Sequence, residues 1–142
     1  MSEDEELGGE AACWAHLIDE LDAAGATTPA LPGPVNLAEL ARTATAPGAA
    51  WSQQSDELNV NLLVFAAGDG VAQHVNDAVD VLLVGVTGSG AVDVDGSRFV
   101  LHPGAALIIP RGARRAMHAL SESFAYLSCH RRRGELRPIP AR

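Results

Sequence analysis

The sequence predicts an all-β fold, a jelly-roll β-barrel with a short N-terminal α-helix, and two observations carry that expectation. From Ala49 to His130, roughly eight to ten short apolar runs are separated by Gly, Pro and Asp-Gly turn signals. The apolar fraction is 47% but the aromatic fraction only 4%, so the core must come from Val, Leu, Ile and Ala, as suits a β-rich domain. A chain of 142 residues fits one domain and one core without staples.

Met1 to Gly9 is acidic and lacks an apolar period, the composition of a disordered leader. From Glu10 to Ala24, Trp14, Leu17, Ile18 and Leu21 recur at helical spacing and Gly25 offers a stop, which predicts one amphipathic helix packed on the barrel or on a partner. Residues 26–34 carry Pro29, Pro32, Gly33 and Pro34 and read as a linker. Val35 to Ala44 fits either a short helix or an edge strand. The expected division is residues 1–34 as an acidic extension, 35–134 as the barrel and 135–142 as a tail.

Within the barrel, Leu58, Val60, Leu62 and Val64 alternate with Asn59, Asn61 and Leu63, as in a half-buried strand. Val71 to Asn76, Asp80 to Val86 and Ala91 to Val94 follow as strands. Asp95-Gly96 is a hairpin signal joining Val92-Asp93-Val94 to Arg98-Phe99-Val100. Pro103-Gly104 and Pro110-Arg111-Gly112 turn the chain on either side of Ala105 to Ile109, and the last strands are Arg114 to Leu120 and Phe124 to His130. The run from Val81 to Val86 is apolar on both faces, so its outer face needs a cover. Either the N-terminal helix or a second subunit supplies it, and a homodimer through this sheet is the expectation.

A net charge of −8 argues against nucleic acid as the main partner. The charge is uneven: residues 1–22 hold eight acids and no base, whereas 111–142 hold eight arginines against Glu122 and Glu135. The leader either folds back on the basic end or serves as a solubilising extension. Cys13 and Cys129 lack the spacing of a disulfide framework, and no signal peptide or long apolar span is present. The expectation is a cytoplasmic protein with reduced thiols and no membrane partner. Cys13 and His16 have metal-compatible spacing but no second pair, and read as structural.

Two motifs flank the hairpin. In the first, Gly68 is followed after five residues by His74-Val75-Asn76 and later by Gly88; in the second, Gly104 leads to Pro110 and Gly112, then Arg115 and Ala119. Together they resemble the paired signatures of the cupin superfamily over roughly residues 56–130. The resemblance implies a cupin-type barrel and, in metal-binding members, a divalent cation such as zinc, iron, manganese, nickel or copper held by two His and a Glu of the first motif and a His of the second. Only His74 is retained of those four; Asn76, Val81 and Arg115 hold the other slots, which makes this a degenerate metal site. Asn76 offers a neutral carbonyl, Val81 nothing, and Arg115 a fixed charge that repels cations.

Without metal, the inward slots of His74, Asn76 and Arg115, with Arg115 across the cavity, make a cradle for a carboxylate or enolate, and His74 is the candidate general acid or base. Asp80 is a candidate partner for Arg115, and Met117 a neighbour of the ligand. The leading expectation is therefore a single-domain barrel binding a small anionic molecule, as a sensing module or as a metal-independent isomerase, epimerase or cyclase. The alternative is a divalent-metal-dependent dioxygenase or isomerase using His74, Asn76, Asp80 and His118. A third reading has Val81, Leu83 and Met117 plugging the interior. There is no phosphate-binding Gly loop, since Gly85, Gly88 and Gly90 precede no helix, and no nucleophile elbow.

Overall fold

The computed structural model describes residues 33–132. The leader expected to be disordered, the helix expected over 10–24, Cys13 and His16, most of the linker and the 135–142 tail lie outside the described residues. The first described element settles the ambiguous stretch as a helix, α1 (Leu37–Arg42), because Asn36 caps it: the Asn36 Oδ1 accepts the Glu39 N–H at 2.9 Å. Nine strands follow: β1 (Gly48–Gln54), β2 (Leu58–Ala66), β3 (Gly70–Val75), β4 (Val81–Thr87), β5 (Gly90–Val94), β6 (Ser97–Leu101), β7 (Ala106–Ile109), β8 (Arg114–Ala119) and β9 (Ser123–Arg131).

They form two antiparallel sheets, one in the order β1-β2-β9-β4-β7 and one in the order β3-β8-β5-β6. Asp95-Gly96 joins β5 and β6 with both residues at positive φ, 49° and 90°, the tight hairpin its sequence announces. Gly88 has no substitute: its φ is +68°, and a Cβ there would sit 1.9 Å from the Ser123 carbonyl oxygen. Between the sheets lies one core in which Leu63, Leu83, Val92 and Ile109 surround Phe65, Phe124 and Tyr126. The Tyr126 ring lies 5.4 Å from that of Phe124 and 5.9 Å from that of Phe65, so three of the six aromatics meet in the core.

The half-buried reading of β2 fails, for a physical reason. Leu62, Leu63, Val64 and Phe65 are all buried, because α1 packs on the outer side against Leu62, Val64 and Ala125 while Leu63 and Phe65 enter the core. The inward parity of Leu63 carries Asn59 and Asn61 into the interior as well, where both are buried. The doubly apolar β4 finds part of its outer cover in α1, which packs against Val86. Among the described residues no helix is long and apolar enough to cross a membrane.

Candidate functional site

The interior holds a cavity of about 50 Å³, room for several waters, between the two sheets. One wall belongs to β3 and β8. A bulge in β3 between Val71 and His74 lets both side chains face inward although they are three residues apart: Val71 pairs with Met117 and His74 with Arg115. The expected placement of Arg115 across the cavity from His74 is thereby corrected, since the two are cross-strand neighbours on the same wall. Arg115 is only 7% exposed, and its Nη2 donates to the Pro110 carbonyl at 3.1 Å. His74 Nδ1 lies 2.9 Å from the Ala72 carbonyl. That contact assigns the proton of the neutral ring to Nδ1 and leaves Nε2 as the basic nitrogen.

Asn76 follows β3 and lines the cavity, but its carbonyl oxygen is committed to the backbone. It accepts the Ala78 N–H at 2.9 Å and the Val79 N–H at 3.3 Å. Two donors at one atom identify it as the oxygen, so a ligand meets only the amide nitrogen.

The opposite wall comes from β2 and β9 and is polar: Asn61, Ser128 and His130 are all buried there. Asn61 is fixed by the Ser52 hydroxyl, which donates to its Oδ1 at 2.7 Å, and by its own Nδ2, which donates to Asn59 Oδ1 at 3.2 Å. His130, which in sequence belongs to an Arg-rich cluster, is an interior residue with Nδ1 2.8 Å from the Arg131 carbonyl. Tyr126 lies below; burial pushes its phenol well above the ordinary value and keeps it protonated. These residues were missed, although one signal was available: the parity of β9 that buries Phe124 and Tyr126 also buries Ser128 and His130.

Asp80 and His118 lie outside the cavity. Asp80 Oδ1 accepts the Arg111 backbone N–H at 2.8 Å in an exposed loop, so the anticipated pairing with Arg115 is replaced by a turn contact. His118 pairs with Gly70 and Ala91 on the outward parity of β8, near Asp93. The alternative ligand set of His74, Asn76, Asp80 and His118 is therefore dispersed. Among the described residues no three His, Cys, Asp or Glu side chains form a group that could hold a metal ion. Val81, Leu83 and Met117 do line the cavity, yet they leave it open.

No protein-family model matches the chain, and comparison with curated proteins found no significant match. Solved structures do match. A cupin superfamily protein from Desulfitobacterium hafniense aligns with a TM-score of 0.59 at 22% identity, over 70% of this chain and 91% of that one. A cupin protein from Bacteroides fragilis aligns at 0.50 and 24%, over 58% and 72%. The chain has a cupin fold. KdgF from Halomonas sp. has the same architecture, with a TM-score of 0.56 at 20% identity over 60% of this chain and 78% of that one. At these identities the likeness concerns the cupin barrel, and its chemistry must be argued from the residues inside.

Proposed function

We propose that this cupin domain binds a small organic anion, a carboxylate or enolate, through Arg115, without a tightly held metal. The supporting observation is the buried guanidinium of Arg115 beside the His74 imidazole, in a cavity whose other polar groups are the amides of Asn61 and Asn76, the hydroxyls of Ser128 and Tyr126, and a second imidazole. A buried cation raises the affinity of its surroundings for an anion, and its planar fork suits a carboxylate. The test is a melting screen of the purified protein with small mono- and dicarboxylic acids: a ligand that binds the folded state raises the melting temperature. No shift across a broad panel, or near-stoichiometric metal that survives dialysis, refutes the reading.

A catalytic form of this reading is favoured by one observation: His74 and His130 reach the cavity from opposite sheets. In that form one imidazole removes a proton from the carbon next to the carboxylate, the guanidinium steadies the enolate, and the other imidazole returns a proton from the opposite side. This is an epimerase or isomerase step, and it needs no redox partner. Incubation of ligands from the melting screen in deuterated water tests it. Incorporation of deuterium at that carbon, lost in both His74→Ala and His130→Ala, supports turnover; no incorporation leaves a binding or sensing module.

A further inference from the structure

The outer face of the five-stranded sheet is apolar from β2 to β7, with Gln53 of β1 beside Val60 at its margin, but the described residues cover only one end. There α1 packs with Leu62, Val64 and Ala125. The strand registers place a further row, Val60, Cys129, Leu82 and Ile108, side by side across β2, β9, β4 and β7. Ile108 is 64% exposed, and Leu58 at the near margin is 46% exposed. The core cluster under α1 contains none of these five residues.

We propose that this row is the docking site of residues 10–24 of the same chain, in whose sequence Trp14, Leu17, Ile18 and Leu21 recur at helical spacing. The helix that follows this segment, α1, packs on this same face, and residues 25–33 can bridge up to about 30 Å when extended, against a five-strand sheet about 19 Å wide. A 15-residue helix is about 22 Å long, enough to cross all five strands. Charge points the same way. The segment carries Glu10, Asp19, Glu20 and Asp22, and the uncovered end of the face carries Arg131 beside Leu58, on the outward parity of Cys129, with Arg132 next in the chain. A second copy would instead bring the same Arg131 margin and the same net charge of −8 against itself.

Cys129 is a built-in reporter, since it lies in the row and its thiol reactivity falls when the row is covered. In the 142-residue chain with Cys13→Ser, Cys129 is the only thiol. It is expected to react with an aromatic disulfide reagent about tenfold or more slowly than in the same chain carrying Leu17→Glu and Ile18→Glu, on the usual scale of local protection. Ile108→Glu alters the receiving face at a side chain 64% exposed in the barrel, and is expected to accelerate the thiol similarly. If the helix substitutions leave the rate unchanged, the proposal falls. It falls equally if light scattering shows a dimer that Ile108→Glu dissociates while the helix substitutions do not, because the occupant is then a second copy.

Discussion

His74 on β3 and Arg115 on β8 are register partners, so an imidazole and a guanidinium leave neighbouring strands on the same inward face. Cross-strand neighbours of this kind sit about 5 Å apart at Cβ, close enough for one small anion to touch both. Arg115→Met is expected to weaken the ligand found by melting screen about 10- to 100-fold, the effect of losing a charged hydrogen bond of roughly 1.5–3 kcal/mol. Arg115→Lys recovers part of that, since it restores charge but not the fork. Calorimetric titration of the three proteins checks the order; equal affinity for Arg115→Met removes Arg115 from the site.

Asn76 is expected to act mainly on stability. Asn76→Ala leaves two backbone N–H groups without their acceptor and should cost about 1–2 kcal/mol, whereas Asn76→Asp keeps an oxygen in place and should cost less. Urea unfolding at neutral pH distinguishes them; a harmless Asn76→Ala would contradict the turn's role.

Two glycines with similar backbone angles are expected to respond differently. Gly96→Ala meets open space and incurs only the positive-φ strain, about 1 kcal/mol. Gly88→Ala adds a collision with the Ser123 carbonyl and should exceed about 3 kcal/mol or prevent folding. Comparing soluble yield and unfolding midpoint tests this, and equal penalties would deny the close approach of Gly88 to β9.

On the outer face of the four-stranded sheet, Arg98 Nε and Nη2 donate to Asp93 at 2.8 and 3.0 Å. The hydrogen bonds from Arg98 hold the Asp93 carboxyl below its ordinary value of 3.8. A carboxylate depressed on folding contributes stability above its unfolded value and loses it as pH falls through the folded one. The stability gap between the parent and Arg98→Gln should therefore be largest near neutrality and close as pH drops below 3.8. Unfolding series at several pH values measure it; a gap that widens in acid would reverse the assignment.

The barrel was legible because its punctuation is local. Asp95-Gly96, Pro110 and Gly112 announce turns by their own chemistry, and the strands between them lie within a residue or two of the sequence reading. The site was only half legible. His74, Asn76 and Arg115 emerge from motif spacing and Met117 as an inward neighbour of Arg115, but the wall formed by Asn61, Ser128 and His130 does not. A polar residue alternating with apolar ones is read as facing water, and in β2 that rule is inverted because α1 supplies a second apolar layer outside the sheet. Asp80 shows the converse, a carboxylate of suitable chemistry diverted by the nearest backbone N–H. Where Arg115 would stand relative to His74 depended on a pairing of β3 with β8 that no local pattern encodes.

The pairing of β2 with β9 runs without interruption from Leu58 opposite Arg131 to Ala66 opposite Ser123. It ties together residues 57 to 73 positions apart, so during synthesis β2 waits without its central neighbour until nearly the whole barrel has left the ribosome. Leu62, Leu63 and Phe65 are then bare on a nascent strand with an open edge, a period of aggregation risk that slow, non-local topologies share. Substitutions that delay β9 should show first as insolubility in the cell, before any loss of stability in the finished protein.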